Sequence, residues 1–394
     1  MKNKYLRFTE SFFFAGMLLA MVTICACKKT NPPIISLPGN TYDTTPLPNT
    51  VYKIDTLNVM AYNILNYGDG CQGPTDSLDV YFRTIVQYAR PDMLGCEKLA
   101  AFPLQPGAVG NLADEIRDSV LNAVFPGRYA YATPTQVANS SKMSVLFYNK
   151  LKLTYVYTKT LLADVEDFDL YKLFYNDVNL GITHDTTFLY VVLNHTQSGT
   201  ASTARDYQVT NVMKTLRAKF AYMPNLVNMG DFNVHSSNEA GYQSMISAKD
   251  SATMMSDPPF YPDVQLAYPA NWDARPDLFA PYLTTSIRGS INFPNTCGTG
   301  DGAKSWYDHI FISPWLVKGG NYLQYISGSY ATIGNDGNRL SVSINSPTPV
   351  VNASAPANVL DAMFQFSNKY PVSMKLLVRA NRSGHSMADP MERN

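Results

Sequence analysis

The sequence predicts a layered α/β domain, because runs of strand character alternate with segments of helical period along one long chain. Two further observations place chemistry on that scaffold. Several of the strand-like runs end in Asn, Glu, His or Asp, and one ends in the tetrapeptide Gly230-Asp231-Phe232-Asn233. The 394 residues have ordinary apolar content and enough aromatic side chains to fill one large core.

Taken in order, Leu57-Asn58-Val59-Met60-Ala61-Tyr62-Asn63-Ile64 alternates as a half-buried strand does. Asp76 offers a cap for a helix whose apolar positions Leu78, Phe82, Ile85, Val86 and Ala89 recur at helical spacing, and Pro91 stops it. Arg90-Pro91-Asp92-Met93-Leu94-Gly95-Cys96 leads a strand into Glu97, and Asn111 precedes a helix carrying Leu112, Ile116, Val120 and Val124. Val145-Leu146-Phe147-Tyr148 is strand-like, as is Phe188 to Leu193, which closes on Asn194-His195. A third helix from Ala204 bears Val209, Met213, Leu216 and Phe220 on one stripe. Leu226-Val227 enters the tetrapeptide, Asp308 heads the strand Ile310-Phe311-Ile312, and Val372 to Val378 is the last strand. No internal sequence repeat is present.

The tetrapeptide carries the first chemical signal. A short strand ending in glycine, followed by a carboxylate and a carboxamide two positions later, aims two oxygen-bearing side chains into the space above the strand end. A hydrated metal and a phosphate would sit there. An Asp and an Asn after a glycine also describe an ordinary turn, so the ordered company of Asn63, Glu97, His195 and Asp308 decides the reading.

In order and spacing these motifs resemble the endonuclease/exonuclease/phosphatase family, the superfamily of deoxyribonuclease-I-like enzymes, neutral sphingomyelinases and inositol polyphosphate phosphatases. The resemblance spans roughly residues 51–379 and is similar to a secreted bacterial branch. It implies a four-layer αββα sandwich of two mixed β-sheets flanked by helices, two similar halves each building one sheet, and a site where the loops of the two sheets meet. It further implies that Glu97 binds a hard divalent ion, Mg²⁺ or Mn²⁺, with Asn63 supporting that metal. Asp231 would orient or deprotonate the attacking water, Asn233 would position the phosphate, and His195, opening a His-x-x-Ser element, would stabilise phosphate charge. Arg205 and Gln208 take structural roles in this frame. His235 and His309 are read as structural: His235 lies just past the motif, and alternation should turn His309 away from Asp308.

The last motif departs from the family. Its members finish Ser-Asp-His, then a hydrophobic residue, Pro and Val; this chain has Ser367-Asn368-Lys369-Tyr370-Pro371-Val372. Asn368 keeps an oxygen ligand for a metal but loses a charge. Lys369 as an ammonium has no lone pair with which to accept a proton. Asp308, the family partner of the missing His, is expected to pair with Lys369 and hold it charged. Loss of a positioned general acid/base costs ~10²–10⁴-fold in rate, while Lys369 stays available as a fixed cation for phosphate.

The chain ends have other work. Residues 1–26 read as a lipoprotein signal peptide: Met1 to Arg7 is basic, and Phe12 to Ile24 is apolar but too short and wrongly flanked for a membrane span. The stretch Ile24-Cys25-Ala26-Cys27-Lys28-Lys29 resembles a bacterial lipobox, with Cys27 the lipidation candidate, Cys25 the lesser choice and a plain secretory signal the other reading. Residues 27–50 form a Pro/Thr-rich tether, 51–380 the catalytic-type domain and 381–394 a polar tail. Together these expect a cell-envelope protein, lipid-anchored and facing the periplasm or the surface. Cys71, Cys96 and Cys297 then remain, an odd number that allows at most one disulfide.

Of 31 basic and 31 acidic residues, Lys2, Lys4, Arg7 and Glu10 lie before residue 27, so the remainder is slightly acidic. That balance excludes a broad electrostatic footprint for duplex nucleic acid, though not a local patch. Two function classes remain. One is a metal-dependent phosphoesterase acting on nucleic acid, phospholipid headgroups or small phosphate esters outside the cytoplasm. The other is a pseudoenzyme retaining a phosphate- or partner-binding cleft. No protein partner is predicted, and substrate choice is assigned to the loops 241–282 and 319–362, which carry no readable motif.

Overall fold

Alternation along β1 (Ile54–Tyr67) sorts its side chains between two cores. Leu57, Val59 and Ala61 enter an apolar layer shared with a second sheet, whereas Met60, Tyr62 and Ile64 turn outward beneath helices. The computed structural model describes residues 45–384 apart from 248, 261–269, 290–296, 298 and 299. The signal peptide, Cys25, Cys27, most of the tether and the tail beyond residue 384 lie outside the described residues.

After β1 come α1 (Thr75–Ala89), β2 (Met93–Ala100), two short helices α2 (Leu112–Glu115) and α3 (Asn122–Val124) joined by a π turn, β3 (Tyr129–Ala132) and β4 (Lys142–Asn149). The chain then makes β5 (Leu153–Ala163), β6 (Asp167–Tyr175), α4 (Leu180–Thr183), β7 (Phe188–His195), α5 (Thr203–Lys219), β8 (Leu226–Asp231), α6 (Ala240–Ile246) and β9 (Asp308–Ile312). It finishes with α7 (Pro314–Lys318), β10 (Leu323–Tyr325), β11 (Ala331–Thr332), α8 (Ala357–Phe366) and β12 (Val372–Arg379).

Two mixed sheets result. One has the order β10-β12-β1-β2-β4-β3, with β11 also on β12, and the other the order β5-β6-β7-β8-β9. Their facing sides close on Leu146, Tyr171, Leu189, Val191, Met229, Ile310 and Met374, a dry inter-sheet core. On the outer faces, Phe82 of α1 stacks on Phe366 of α8, and Phe220 after α5 meets Tyr190 edge-on. The architecture is the helix-sheet-sheet-helix sandwich, but the first sheet takes its strands from both ends of the chain, so the halves do not each build one sheet. The repeat is smaller: β1-α1-β2 and β7-α5-β8 are both crossovers between parallel strands.

Those two units position the site. Parallel pairing puts the C-terminal ends of paired strands side by side, and the register sets Asn63 opposite Glu97 in one sheet and His195 opposite Asp231 in the other. Two glycines permit the close approach. A Cβ on Gly230, at φ +134°, would lie 2.0 Å from the Asn194 carbonyl oxygen, and one on Gly95 would lie 2.5 Å from a Leu193 methyl of the opposing sheet.

Some local expectations change. Asp76 lies inside the first turn of α1, whose N-cap is Pro74; the carboxylate there complements the helix dipole without capping. Asn111 caps α2 by accepting from the Asp114 amide. Asn381, where the sequence reading begins the tail, is fully buried: its amide donates to Asp177, and its side chain bonds Asp185, Ser383 and Gly384. Cys71 and Cys297 form a disulfide, and Cys96 is a buried free thiol.

Candidate functional site

Asp231 is the hub of the site. Its Oδ2 accepts from Asn63 Nδ2 at 2.8 Å, joining β1 to the end of β8 across the two sheets, while its Oδ1 accepts from the Asn233 amide at 3.0 Å. The second bond closes an Asx turn that Asn233, at φ 48°, completes in the left-handed region. Asn233 Nδ2 donates to the Thr196 carbonyl, which fixes the motif against the loop after His195.

Lys369 supplies the third bond. Its ammonium lies 2.8 Å from Asp231 Oδ2 and 3.8 Å from Asp308 Oδ2, and 4.7 Å above the ring of Tyr307. The expected partner, Asp308, is therefore the more distant of two: β9 sets Asp308 opposite Asp231, and the lysine reaches past it. Ser367 anchors the lysine's approach, donating to the Asn63 carbonyl at 2.8 Å and accepting from the Lys369 amide at 3.2 Å. Asn368 lines the cleft, and its backbone carbonyl accepts from the Ser286 amide. Among the described residues its carboxamide shares no hydrogen bond with Glu97 or Asn63.

The electrostatics follow from burial. Desolvation works against the Asp231 carboxylate, but Lys369 and then His195 more than offset it, holding its pKa at about 2. Burial, opposed by Lys369, reinforced by Asp231 and opposed again by the Thr284 hydroxyl, pushes Asp308 up to about 7. Burial opposes the charge on Lys369, yet Asp231 and Asp308 reverse that and raise its pKa above the ordinary lysine value. That pairing favours the charged amine and makes Lys369 a poor base.

Glu97 stands behind this layer, fully buried, with neither carboxylate oxygen bonded to a described residue. Burial and then the charges of Asp308, Asp231 and Glu166 push its pKa well above the carboxylate range. A buried carboxyl with both oxygens orphaned beside Asn63 fits a hard divalent cation, which takes one or two carboxylates and keeps several waters. The fit rests on Glu97 and Asn63. The only cluster of three ligating side chains among the described residues is Asp69, Cys71 and Cys297, and its sulfurs are consumed by the disulfide.

His195 is held by Glu166, whose carboxylate contacts Nδ1 and also accepts from Ser144. Burial lowers the imidazole's proton affinity, but Glu166 and Asp231 outweigh it and leave the pKa raised. With Nδ1 on Glu166, Nε2 is the nitrogen left for the cleft. Arg205 and Gln208 brace the same loop, Arg205 through Glu239 and the Gly199 and Ala201 carbonyls, Gln208 by accepting from the Gln197 amide.

These groups open into a cleft of about 320 Å³. Asn63, His195, Asp231, Asn233, Asn368 and Lys369 line it, with Lys98, Tyr307 and the stretch Gly300 to Ser305. Among the described residues no part of the loops 241–282 and 319–362 does so; Thr285, Ser286 and the residues from Gly300 to Ser305 supply that wall instead, because the Ser286 amide binds Asn368 and Thr285 pairs with Lys369. His235 stands at the rim on Asp273 and against Tyr307, whereas His309 is buried among Trp272, Trp306 and Phe311, on the opposite side of β9 from Asp308.

Glu166, Lys98 and Tyr307 are the site residues that sequence reasoning missed. Glu166 sits in the tight connection from β5 to β6, in no motif. Tyr307 immediately precedes Asp308 and was in plain view. Lys98 reaches the cleft only because β2 carries a bulge.

No protein-family model matches the chain, and no curated protein matches it. Solved structures similar to it include an endonuclease/exonuclease/phosphatase family protein from Bacteroides thetaiotaomicron, 16% identical, with TM-score 0.47 over 83% of this chain and 97% of that one. The human Nocturnin catalytic domain with bound sulfate is 12% identical, TM-score 0.48, over 82% and 97%. A mannosyl-6-phosphatase from Bacteroides thetaiotaomicron is 15% identical, TM-score 0.46, over 81% and 99%.

Proposed function

We propose that this chain is a phosphoric ester hydrolase of the endonuclease/exonuclease/phosphatase type, slowed by its altered last motif and carried on the cell envelope by a lipid on Cys27. The observation that supports it best is the convergence, in one cleft, of Asn63 from β1, His195 and Asp231 from the ends of β7 and β8, and Asn233 from the turn after β8, bringing two sheets together.

Each residue has a task that its contacts permit. Glu97, with Asn63 beside it, would hold Mg²⁺ or Mn²⁺, which when bound supplies Lewis-acid screening of phosphate charge. The imidazolium of His195, oriented by Glu166, presents Nε2–H to a phosphate oxygen. The second amide hydrogen of Asn233 points the same chemistry at a neighbouring oxygen. Lys369 adds a fixed positive charge.

Proton acceptance is the weak link. Asp231 is ionised and reaches the cleft, so it can align a water, but a carboxylate of pKa about 2 carrying bonds from Asn63, Lys369 and the Asn233 amide takes a proton poorly. Asp308, at about 7, is matched to neutral pH, yet both its oxygens are sealed from solvent. The ion pair between Lys369 and Asp231 is also the observation that favours the second reading, a pseudoenzyme that binds phosphate without turnover.

The test is turnover by purified mature protein on plasmid DNA, sphingomyelin, an aryl phosphodiester and an aryl phosphomonoester, each with Mg²⁺, Mn²⁺ or chelator. Chelator-sensitive hydrolysis of any of these supports the enzyme. Metal binding with no hydrolysis of all four transfers the cleft to the pseudoenzyme reading.

A further inference from the structure

Cys96 and Leu99 are three residues apart on β2, yet both pack into the outer apolar core. In a regular strand they would face opposite ways. The difference is a bulge: Cys96 pairs with Val145 and Leu99 with Met143, so Glu97 and Lys98 together oppose the single residue Ser144. Lys98 absorbs the extra residue at φ 66°, a conformation uncommon outside glycine. The consequence is that Glu97 and its neighbour, which alternation would send to opposite faces, both turn to the site side, Glu97 into the interior and Lys98 onto the cleft wall.

Lys98 makes no hydrogen bond or ion pair with a described residue, and its ammonium shares the cleft with that of Lys369, close enough for the two charges to repel. A half-buried cation set against a second one favours an anion that can meet both. Asp231 and Glu166 attract the Lys98 charge without contacting it, since Asp231 is held by Lys369 and Glu166 by His195, and Lys304 and Asp301 at the mouth pair with each other, so the ammonium of Lys98 keeps its donors for a ligand.

Resting on the hydrolase reading of this cleft, we propose that Lys98 and Lys369 form a two-cation clamp for a terminal phosphate, which makes phosphomonoesters the substrate class. A monoester carries close to two negative charges at neutral pH, three of its oxygens are free acceptors, and it can engage both ammonium groups while His195 takes the third oxygen. A diester has one charge and two free oxygens, so it cannot satisfy Lys98 as well as Lys369 and His195. Lys98 is a binding and specificity residue here, distinct from the residues at the metal position.

The experiment uses the full mature chain with a matched pair of probes, an aryl phosphomonoester and a bis-aryl phosphodiester, and with inorganic phosphate by calorimetry. Lys98→Met, which keeps length and removes charge, should lower the monoester-to-diester ratio of kcat/KM and weaken phosphate binding, each by about tenfold or more, as expected for a hydrogen bond to a charged group. Lys98→Arg should retain both, and Lys98→Asn, which tolerates the left-handed backbone, guards against misfolding at the bulge. Wild type preferring the diester, or Lys98→Met lowering both substrates equally, overturns the clamp while leaving a hydrolase in place. If wild type hydrolyses neither probe, the hydrolase reading fails by itself and calorimetry still decides: phosphate bound by wild type and lost in Lys98→Met supports the clamp, and equal or absent binding overturns it.

Discussion

The ammonium of Lys369 and the carboxylate of Asp231 meet at 2.8 Å in the middle of the cleft, on the same Oδ2 that Asn63 already bonds. This contact ties the last motif of the chain to the central one. It neutralises a buried carboxylate that would otherwise be pushed toward protonation. With Asn63 on the same oxygen it also crowds the side on which a water would be aligned, so the charge balance that stabilises the site would slow the proposed hydrolysis.

Glu97 should report the metal directly. Calorimetry should show Mg²⁺ or Mn²⁺ binding to wild type that Glu97→Gln weakens by about tenfold or more, since the variant removes the ligand charge behind Asn63. Thermal melting supplies the control. In chelator, Glu97→Gln should melt no lower than wild type, because the buried carboxyl it replaces has no hydrogen bond among the described residues. With metal, only wild type should gain. Equal metal affinity in the two proteins would remove Glu97 from the site.

Asp308 makes the stability depend on pH. Its carboxyl, at 3.8 when unperturbed, is raised to about 7 in the fold, so between these values the native state holds a proton that the unfolded chain has released. Stability should therefore fall as pH rises from about 4 to 7, by up to about 1.4 kcal/mol per pH unit for one group. Asp231, depressed to about 2, acts in the opposite sense and only below about pH 4, where acidification removes its contribution. Melting curves in chelator should show Asp308→Asn flattening the decline between pH 5 and pH 7 in part, because Glu97 adds to it across this window, whereas His195, raised from 6.5, adds only above about pH 6.5. An unchanged slope would mean that Asp308 is ionised throughout.

If the lipid sits on Cys27 as proposed, Cys27→Ser should release the protein from the membrane fraction, since one lipidated cysteine would then supply the attachment. Membrane association that persists with Cys25 intact would move the anchor to that cysteine or to an uncleaved signal segment.

What the sequence revealed of this site was what sits at strand ends. Asn63, Glu97, His195 and Asp231 close apolar runs, and register does the rest by pairing them two by two. Gly230 and Gly95 were legible only as motif letters; their reason, an opposing carbonyl and an opposing leucine, belongs to the packing of one strand on another. Lys98 was hidden by the rule that exposed the others, because period two sends it to the wrong face and a bulge cannot be read from residue type. Glu166 was hidden by distance: nothing in a turn between β5 and β6 points to a histidine 29 residues on. The ion pair of Lys369 with Asp308 was legible and forms at 3.8 Å, but the nearer partner, Asp231 at 2.8 Å, was not, since Asp231 and Asp308 face each other across β8 and β9 and a long side chain settles between them by reach.

The altered motif can be tested by restoring it. Asn368→Asp with Lys369→His should raise phosphoesterase turnover by ~10²–10⁴-fold if the rest of the cleft is preorganised. An imidazole at this position would release Asp231 Oδ2 from the ammonium and place a neutral base beside Asp308, whose carboxylate would then orient it. Lys369→His alone should recover part of the gain, and Asp308→Asn in the restored background should remove it again. The change should fall mainly on kcat, because these groups act on the transition state more than on substrate binding. Removing Lys369 also removes half of the proposed phosphate clamp, so KM for a monoester should rise while kcat climbs, and KM for a diester should move less. A wild type already fast and slowed by the double change would identify Lys369 as a specialised substrate-binding or catalytic cation, and the ion pair with Asp231 as part of the working site.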